Sequence, residues 1–328
     1  MVDLSAEYLG FPLKNPILIS SSTLVQNMDG IRQAEAAGAG AIVLRSLFEE
    51  LIRDQIDQEG HHVYSDHPEE YDYILSELEL QYGPRNYLDL IQQAKSECQI
   101  PIIASINCTT PKWWISYAKQ IEAVGADAIE LNLSLMPINP AKTSLDIEQE
   151  FLDVIRTARE NINLPLAVKL GPFFTGFSRF TNEICGTGID ALVLFNRFYQ
   201  FDIDINSCAI KGANWYSSSD EMSLSLRWIS ILFNHVNCAL AATTGIHNAA
   251  DVIKQILAGA AVVEIASTIY LNGFEVINQI LTEIKEWMNK KNYQTLTDFR
   301  GKLSLSHQKD PEIYERLQYI KALTGIEK

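Results

Sequence analysis

Cysteine is scarce in this chain and poorly spaced for chemistry. The five cysteines, Cys98, Cys108, Cys185, Cys208 and Cys238, form no CxxC pair. That spacing argues against a zinc site, any other metal centre or a disulfide framework, and for reduced thiols in a cytoplasmic protein. Long apolar runs are missing as well: no stretch reaches the roughly 18 residues of a membrane span. Met1 to Gly10 carries acidic residues and no apolar core, unlike a secretory signal. Basic residues are in deficit, with 26 Lys and Arg against 41 Asp and Glu and a net charge of −15. A nucleic-acid backbone or an anionic membrane would be repelled by such a surface. These absences leave a small-molecule substrate as the expected partner, and a local basic pocket for one phosphate is compatible with them.

What is there is a repeating pattern. Eight short runs rich in Ile, Val, Leu and Ala recur along the chain: Ile17 to Ser21, Ala41 to Ser46, Ile102 to Asn107, Ala128 to Ser134, Leu166 to Gly171, Ala191 to Asn196, Cys238 to Thr244 and Val262 to Ser267. Near-continuous apolar runs suit parallel strands covered on both faces. Helical patterns lie between them, among them Asn86 to Ser96, Lys112 to Ala123, Ser144 to Glu160, Ser223 to Asn234 and Ala249 to Leu257. Odd runs are mostly approached through Pro (Pro16, Pro101, Pro165), and even runs follow a helix end marked by Gly (Gly40, Gly125, Gly188, Gly259). Pro suits a strand start and Gly a helix C-cap. Eight βα units with this two-step rhythm predict a (β/α)8 TIM barrel over residues 1–328; an open doubly wound sheet shares the local signals. The connections 47–85 and 197–222 are too long for ordinary loops. Both follow strand ends on the C-terminal face, as a lid or an interface would. Residues 292–328 read as an appendage.

Barrel chemistry is built at the C-terminal ends of the strands. There the sequence places Ser20, Ser21 and Ser22; Arg45 and Ser46; Asn107 and Cys108; Asn132 and Ser134; Lys169; Asn196 and Arg197; Thr243, Thr244 and Gly245; and Ala266 and Ser267. Asn is depleted in strands, so its recurrence points to a planar ligand rich in heteroatoms. Lys169 in a buried strand is costly unless a charge or a ligand pairs with it, or the side chain snorkels to water. Small residues before helices in Thr243 to Asn248 and Ala266 to Thr268 suit a phosphate site, though Ser, Thr and Asn also serve as plain N-caps. His247 is more simply structural than a base. His61, His62 and His67 lie in an acidic insertion that reads as a solvated face, and Trp113, Trp114 and Trp228 read as packing.

The segments Asn15-Pro16-Ile17, Ser20-Ser21-Ser22, Glu130-Leu131-Asn132-Leu133-Ser134, Val168-Lys169-Leu170, Leu194-Phe195-Asn196 and Thr244-Gly245-Ile246 together resemble the FMN-dependent dihydroorotate dehydrogenases, from Met1 to about Leu303. The resemblance implies FMN across the barrel mouth. It places Ser21 and Ser46 on the flavin, Asn132 between flavin and substrate, and Asn196 on the substrate. Lys169 falls beside the flavin N1 edge, and Thr244, Gly245, Ala266 and Ser267 fall around the phosphate. It implies oxidation of dihydroorotate or a related small planar substrate, with a base taking a proton while hydride leaves for flavin N5. It also implies the soluble class and a homodimer.

The departures from the family pattern are specific. Leu135 stands where the soluble family has a catalytic Cys, and Arg45 replaces an active-site lysine. Residues 76–83 show no counterpart of the substrate-loop Asn, and Leu135-Met136-Pro137 loses another. Ser217-Ser218-Ser219 replaces a Gly-rich loop, and Thr244 stands at a usual Gly. Lys169, Asn132 and Arg45 are therefore the expected catalytic residues, with Cys108 or Tyr199 as relocated bases. Leu135 favours a second reading, a non-catalytic flavin-binding protein or a subunit of a redox complex. A transfer-RNA dihydrouridine reductase is a third, disfavoured by the acidic balance.

Overall fold

The structure, a computed structural model, describes residues 2–48, 85–107, 111–133, 136–198 and 200–307. His61, His62, His67, residues 76–83, Cys108, Ser134, Leu135 and Tyr199 lie outside the described residues, as do the side chains of Trp113 and Trp114.

Among the described residues, eight parallel strands close a barrel: β3 (Ile17–Ile19), β4 (Ala41–Val43), β6 (Ile102–Asn107), β7 (Ala128–Leu133), β8 (Leu166–Leu170), β9 (Ala191–Leu194), β12 (Ala239–Thr243) and β13 (Val262–Ile265). β13 pairs with β3, and β4 with β6, so the wall has no free edge. A short strand β5 (Leu47–Phe48) extends the wall beside Ile106 and Asn107. Each barrel strand falls within an expected apolar run. Several stop short of its end, leaving Ser20, Ser46 and Asn196 in the loops of the C-terminal face and Ser267 at the start of the helix Ser267–Asn272.

Side chains two apart on a strand share a face. One face of every strand packs outward against helices such as Met28–Ala36, Phe177–Cys185, Ala249–Ala258 and Val276–Lys291, through Ile17, Ile19, Ile42, Ile129, Val168, Leu192 and Val263. The other face fills the barrel. Its lower layer is small: Ala41, Ala128, Ala167, Ala191 and Ala241 leave room for an N-terminal hairpin, β1 (Ala6–Tyr8) and β2 (Phe11–Leu13), whose Tyr8, Leu9 and Leu13 plug the floor. Leu9 and Gly10 turn the hairpin at φ 53° and 76°, the left-handed geometry of a tight two-residue connection.

The Tyr8 hydroxyl is buried with no hydrogen-bond partner. Burial, then the nearby Glu264 and Glu130, push its ionisation well above the ordinary range. Removing an unsatisfied buried hydroxyl relieves a desolvation cost. Tyr8→Phe is therefore expected to leave the unfolding free energy unchanged or raise it by about 1 kcal/mol. A loss of that size in chemical denaturation would show that the hydroxyl has a partner.

The insertion 197–222 carries an antiparallel hairpin, β10 (Phe201–Asp204) and β11 (Ala209–Gly212). Of the appendage, residues 292–307 pack on the barrel's flank. Leu296 and Phe299 are buried there, and the Gly301 N–H donates to Ile256 O at 2.9 Å.

Cys185 and Cys238 come together, with Cα atoms 5.9 Å apart. Cys185 ends the helix before β9 and Cys238 precedes β12. Because β9 and β12 are neighbours, residues 53 apart in sequence meet. Among the described residues, no helix is long and apolar enough to cross a membrane, and no group of three or more His, Cys, Asp or Glu is placed to hold a metal ion.

Candidate active site at the barrel mouth

A cavity of about 640 Å³ opens at the C-terminal ends of the strands. Ser21, Arg45, Ser46, Asn132, Lys169, Asn196, Thr244, Gly245, Ala266 and Ser267, the described residues expected from sequence, all line it.

Period-two alternation places the floor. Along β7, Ala128, Glu130 and Asn132 climb one inner face; along β8, Ala167 and Lys169 do so, in register with Glu130 and Asn132 respectively. β13 contributes Glu264, in register with Thr243 of β12. The Lys169 ammonium donates to Glu264 Oε2 at 2.7 Å and to Ser20 Oγ at 3.1 Å, and lies 3.5 Å from Glu130 Oε1. The Ser20 hydroxyl donates to the same Glu264 oxygen at 3.0 Å. Lys169 thus does not snorkel: it is only 5% exposed and answered by protein carboxylates.

Burial works against the Lys169 ammonium, but the two carboxylates outweigh it and hold the group above its ordinary range. Burial first, then the neighbouring Glu264, drive the Glu130 carboxyl well above the usual carboxylate range, against the pull of Lys169. A carboxyl raised by folding contributes its full stability below the unfolded value, roughly pH 4.3, and loses it as pH rises through the folded value. Glu130→Gln, which stays neutral, is expected to flatten the alkaline side of the stability–pH profile measured by denaturation. An unchanged slope would mean that Glu130 is ionised in the folded protein.

Around the floor the polar groups hold one another. The Asn196 amide donates to Asn132 Oδ1 at 2.7 Å, just beyond a cis Leu194–Phe195 peptide. On the opposite wall, Ser21 and Ser46 hydroxyls are 3.0 Å apart, and Ser46 meets the Ser105 hydroxyl at 2.8 Å. Arg45 stands at the exposed rim and donates to Gln26 Oε1 at 3.0 Å, so its charge sits outside the buried floor. Arg197 grips Glu221 at 2.8 Å and the Asn214 carbonyl at 2.9 Å, which ties the 197–222 insertion over the mouth.

At the end of β12, Thr244 and Gly245 both have positive φ, 71° and 75°. A β-branched residue is rare there. Thr244 is held by its hydroxyl, which donates to Phe195 O at 3.1 Å. The Gly245 N–H donates to Ser217 Oγ at 3.2 Å, and the Ser217 N–H to Ser267 Oγ at 3.0 Å. Ser217 also lies 3.2 Å from His247 Nε2. The serine loop is thereby drawn into one cradle with Gly245 and Ser267, and His247 serves as a structural partner in it.

Glu130 and Glu264 are the residues that the sequence reading missed. A charged residue on the inner face of an otherwise apolar strand is the signal that could have found them.

The family model for dihydroorotate dehydrogenase matches residues 3–288. Similar curated proteins are named dihydroorotate dehydrogenase B (NAD(+)), catalytic subunit. The one from Methanocaldococcus jannaschii is 24% identical over 91% of this chain and 97% of its own length. That from Thermoplasma acidophilum is 23% identical over 92% and 99%, and that from Methanocella arvoryzae 26% over 86% and 92%.

Proposed function

The chain belongs to the dihydroorotate dehydrogenase family, and on that premise we propose an FMN-dependent oxidoreductase that oxidises dihydroorotate or a related small planar ring. The observation that carries the reading is the juxtaposition of Lys169, Asn132 and Asn196 at the base of the 640 Å³ cavity. FMN fits by size and by donor set. Pockets for small molecules and cofactors run roughly 300–1,000 Å³. This one offers an ammonium below, paired amides and hydroxyls on the walls, and a glycine turn at one end.

Bound FMN would supply a two-electron hydride acceptor. Lys169 would hold positive charge under the ring's polar edge, where negative charge develops on reduction. Asn132 and Asn196, already mutually oriented, would face the substrate. Ser21 and Ser46 would border the ring, and Thr244, Gly245, Ala266 and Ser267 the phosphate end. Leu135 cannot accept a proton, so proton removal falls to another group. Cys108 and Tyr199 are the proposed substitutes, and a reaction with no base would lose roughly 10²–10⁴-fold.

A homodimer belongs to the same proposal. Leu135 also sustains a second reading, a flavin carrier or redox subunit that oxidises no substrate. Protein supplemented with FMN and freed of excess by gel filtration is expected to retain the flavin, and Lys169→Ala to retain less. A colourless wild-type protein would overturn the cofactor assignment.

A further inference from the structure

Lys169 is the cation at the cavity floor, yet its charge is already answered from below. Glu264, at 2.7 Å, lines the cavity beside it, and Glu130, at 3.5 Å, lies in the same buried layer. Both glutamates are 1% exposed, and the Oε1 atom of each has no hydrogen-bond partner. Two carboxylates in a dry barrel carry a desolvation cost that Ala or Val, the residues of the layer beneath, would avoid. A lysine that served only to hold a bound anion would need neither of them. What the pair does, given its position, is weaken the positive field that Lys169 presents to the cavity.

We propose that the Glu130–Glu264 pair is a counter-charge that sets the reduction potential of the bound flavin, by offsetting Lys169 and limiting how strongly the floor favours the reduced cofactor. This rests on the FMN reading above. Reduction adds negative charge to the N1 side of the flavin ring, and charge near that edge tunes its electronics. A cation there favours the reduced form, and a carboxylate behind the cation opposes it. In a low-dielectric interior both effects are large. Ser20 holds the arrangement in place by bonding to both Lys169 and Glu264. Glu130 and Glu264 are thus positioning residues that act through Lys169.

The test is a potentiometric titration of FMN-loaded wild type and Glu130→Gln/Glu264→Gln at about pH 6, well below the ordinary lysine value of about 10.4. Glutamine keeps the size and an acceptor oxygen and removes the charge. The double variant is expected to favour reduced over oxidised FMN at least about tenfold more than wild type does, a rise of about 30 mV for a two-electron couple. Glu264→Gln alone is expected to shift the potential in the same direction by less, because Glu130 takes over as counter-charge. It provides the same reading if the double variant does not fold. Flavin bound with an unchanged or lowered potential in these variants overturns the counter-charge role and leaves the FMN reading intact. A wild-type protein that binds no FMN overturns both.

Discussion

Lys169→Met is expected to cost about 3–5 kcal/mol of folding stability, the range seen when one partner of a buried ion pair is removed. The ammonium is the hydrogen-bond donor that meets Glu264 at 2.7 Å, and it lies 3.5 Å from Glu130 Oε1. Without it, Glu264 retains only the Ser20 hydroxyl as a donor at Oε2. Adding Glu264→Gln to Lys169→Met is expected to restore most of the loss, because replacing both partners of a buried pair removes the uncompensated charge. Denaturant titration of the two single variants and the double variant gives the coupling. Near-additive effects would show that Lys169 and Glu264 do not depend on each other. The same substitution strips the cavity floor of its cation, so FMN retention should fall with it.

Gly245→Ala is expected to be the most damaging change at the cradle. A Cβ there would lie 2.4 Å from Met222 N and 2.8 Å from Ser218 O, both backbone atoms that no rotamer change can move. The residue also has φ 75°, a conformation that L side chains rarely adopt. We expect roughly 2–4 kcal/mol of destabilisation, combining backbone strain with overpacking. The serine loop would move away from Gly245 and Ser267, with weakened FMN binding as the local signature. Gly125→Ala is the control: φ is 88°, but nothing lies within 4 Å of the added Cβ. It should cost only about 1 kcal/mol and leave FMN binding unchanged. Equal losses for the two variants, with equal FMN affinity, would mean that the crowding around Gly245 is relieved cheaply.

The barrel was legible because each strand is a short apolar run, all but one of them led in by Pro or Gly, and closure by β13–β3 and β4–β6 follows from eight such units. The mouth was legible for the same reason: polar residues just past apolar runs sit on one face. The floor hairpin was not. Its strands are three residues long and contain Glu7 and Pro12, which carry no strand signal. The Phe201–Gly212 hairpin was missed because Phe201, Ile203 and Ile210 are exposed and show no buried face. Lys169 was read as costly unless a charge, a ligand or water met it, and its partners, Glu130 and Glu264, come from strands far apart in sequence. Only the closed register brings β7, β8 and β13 around one point. The Cys185–Cys238 pair was hidden likewise, since it depends on β9 and β12 being neighbours.

The most direct test is the visible spectrum of the FMN-loaded protein, recorded anaerobically before and after adding dihydroorotate. The account expects a bound-flavin spectrum that bleaches, with the reaction proceeding although Leu135 cannot act as a base. A bound flavin that stays oxidised with dihydroorotate and with other dihydropyrimidines would contradict it.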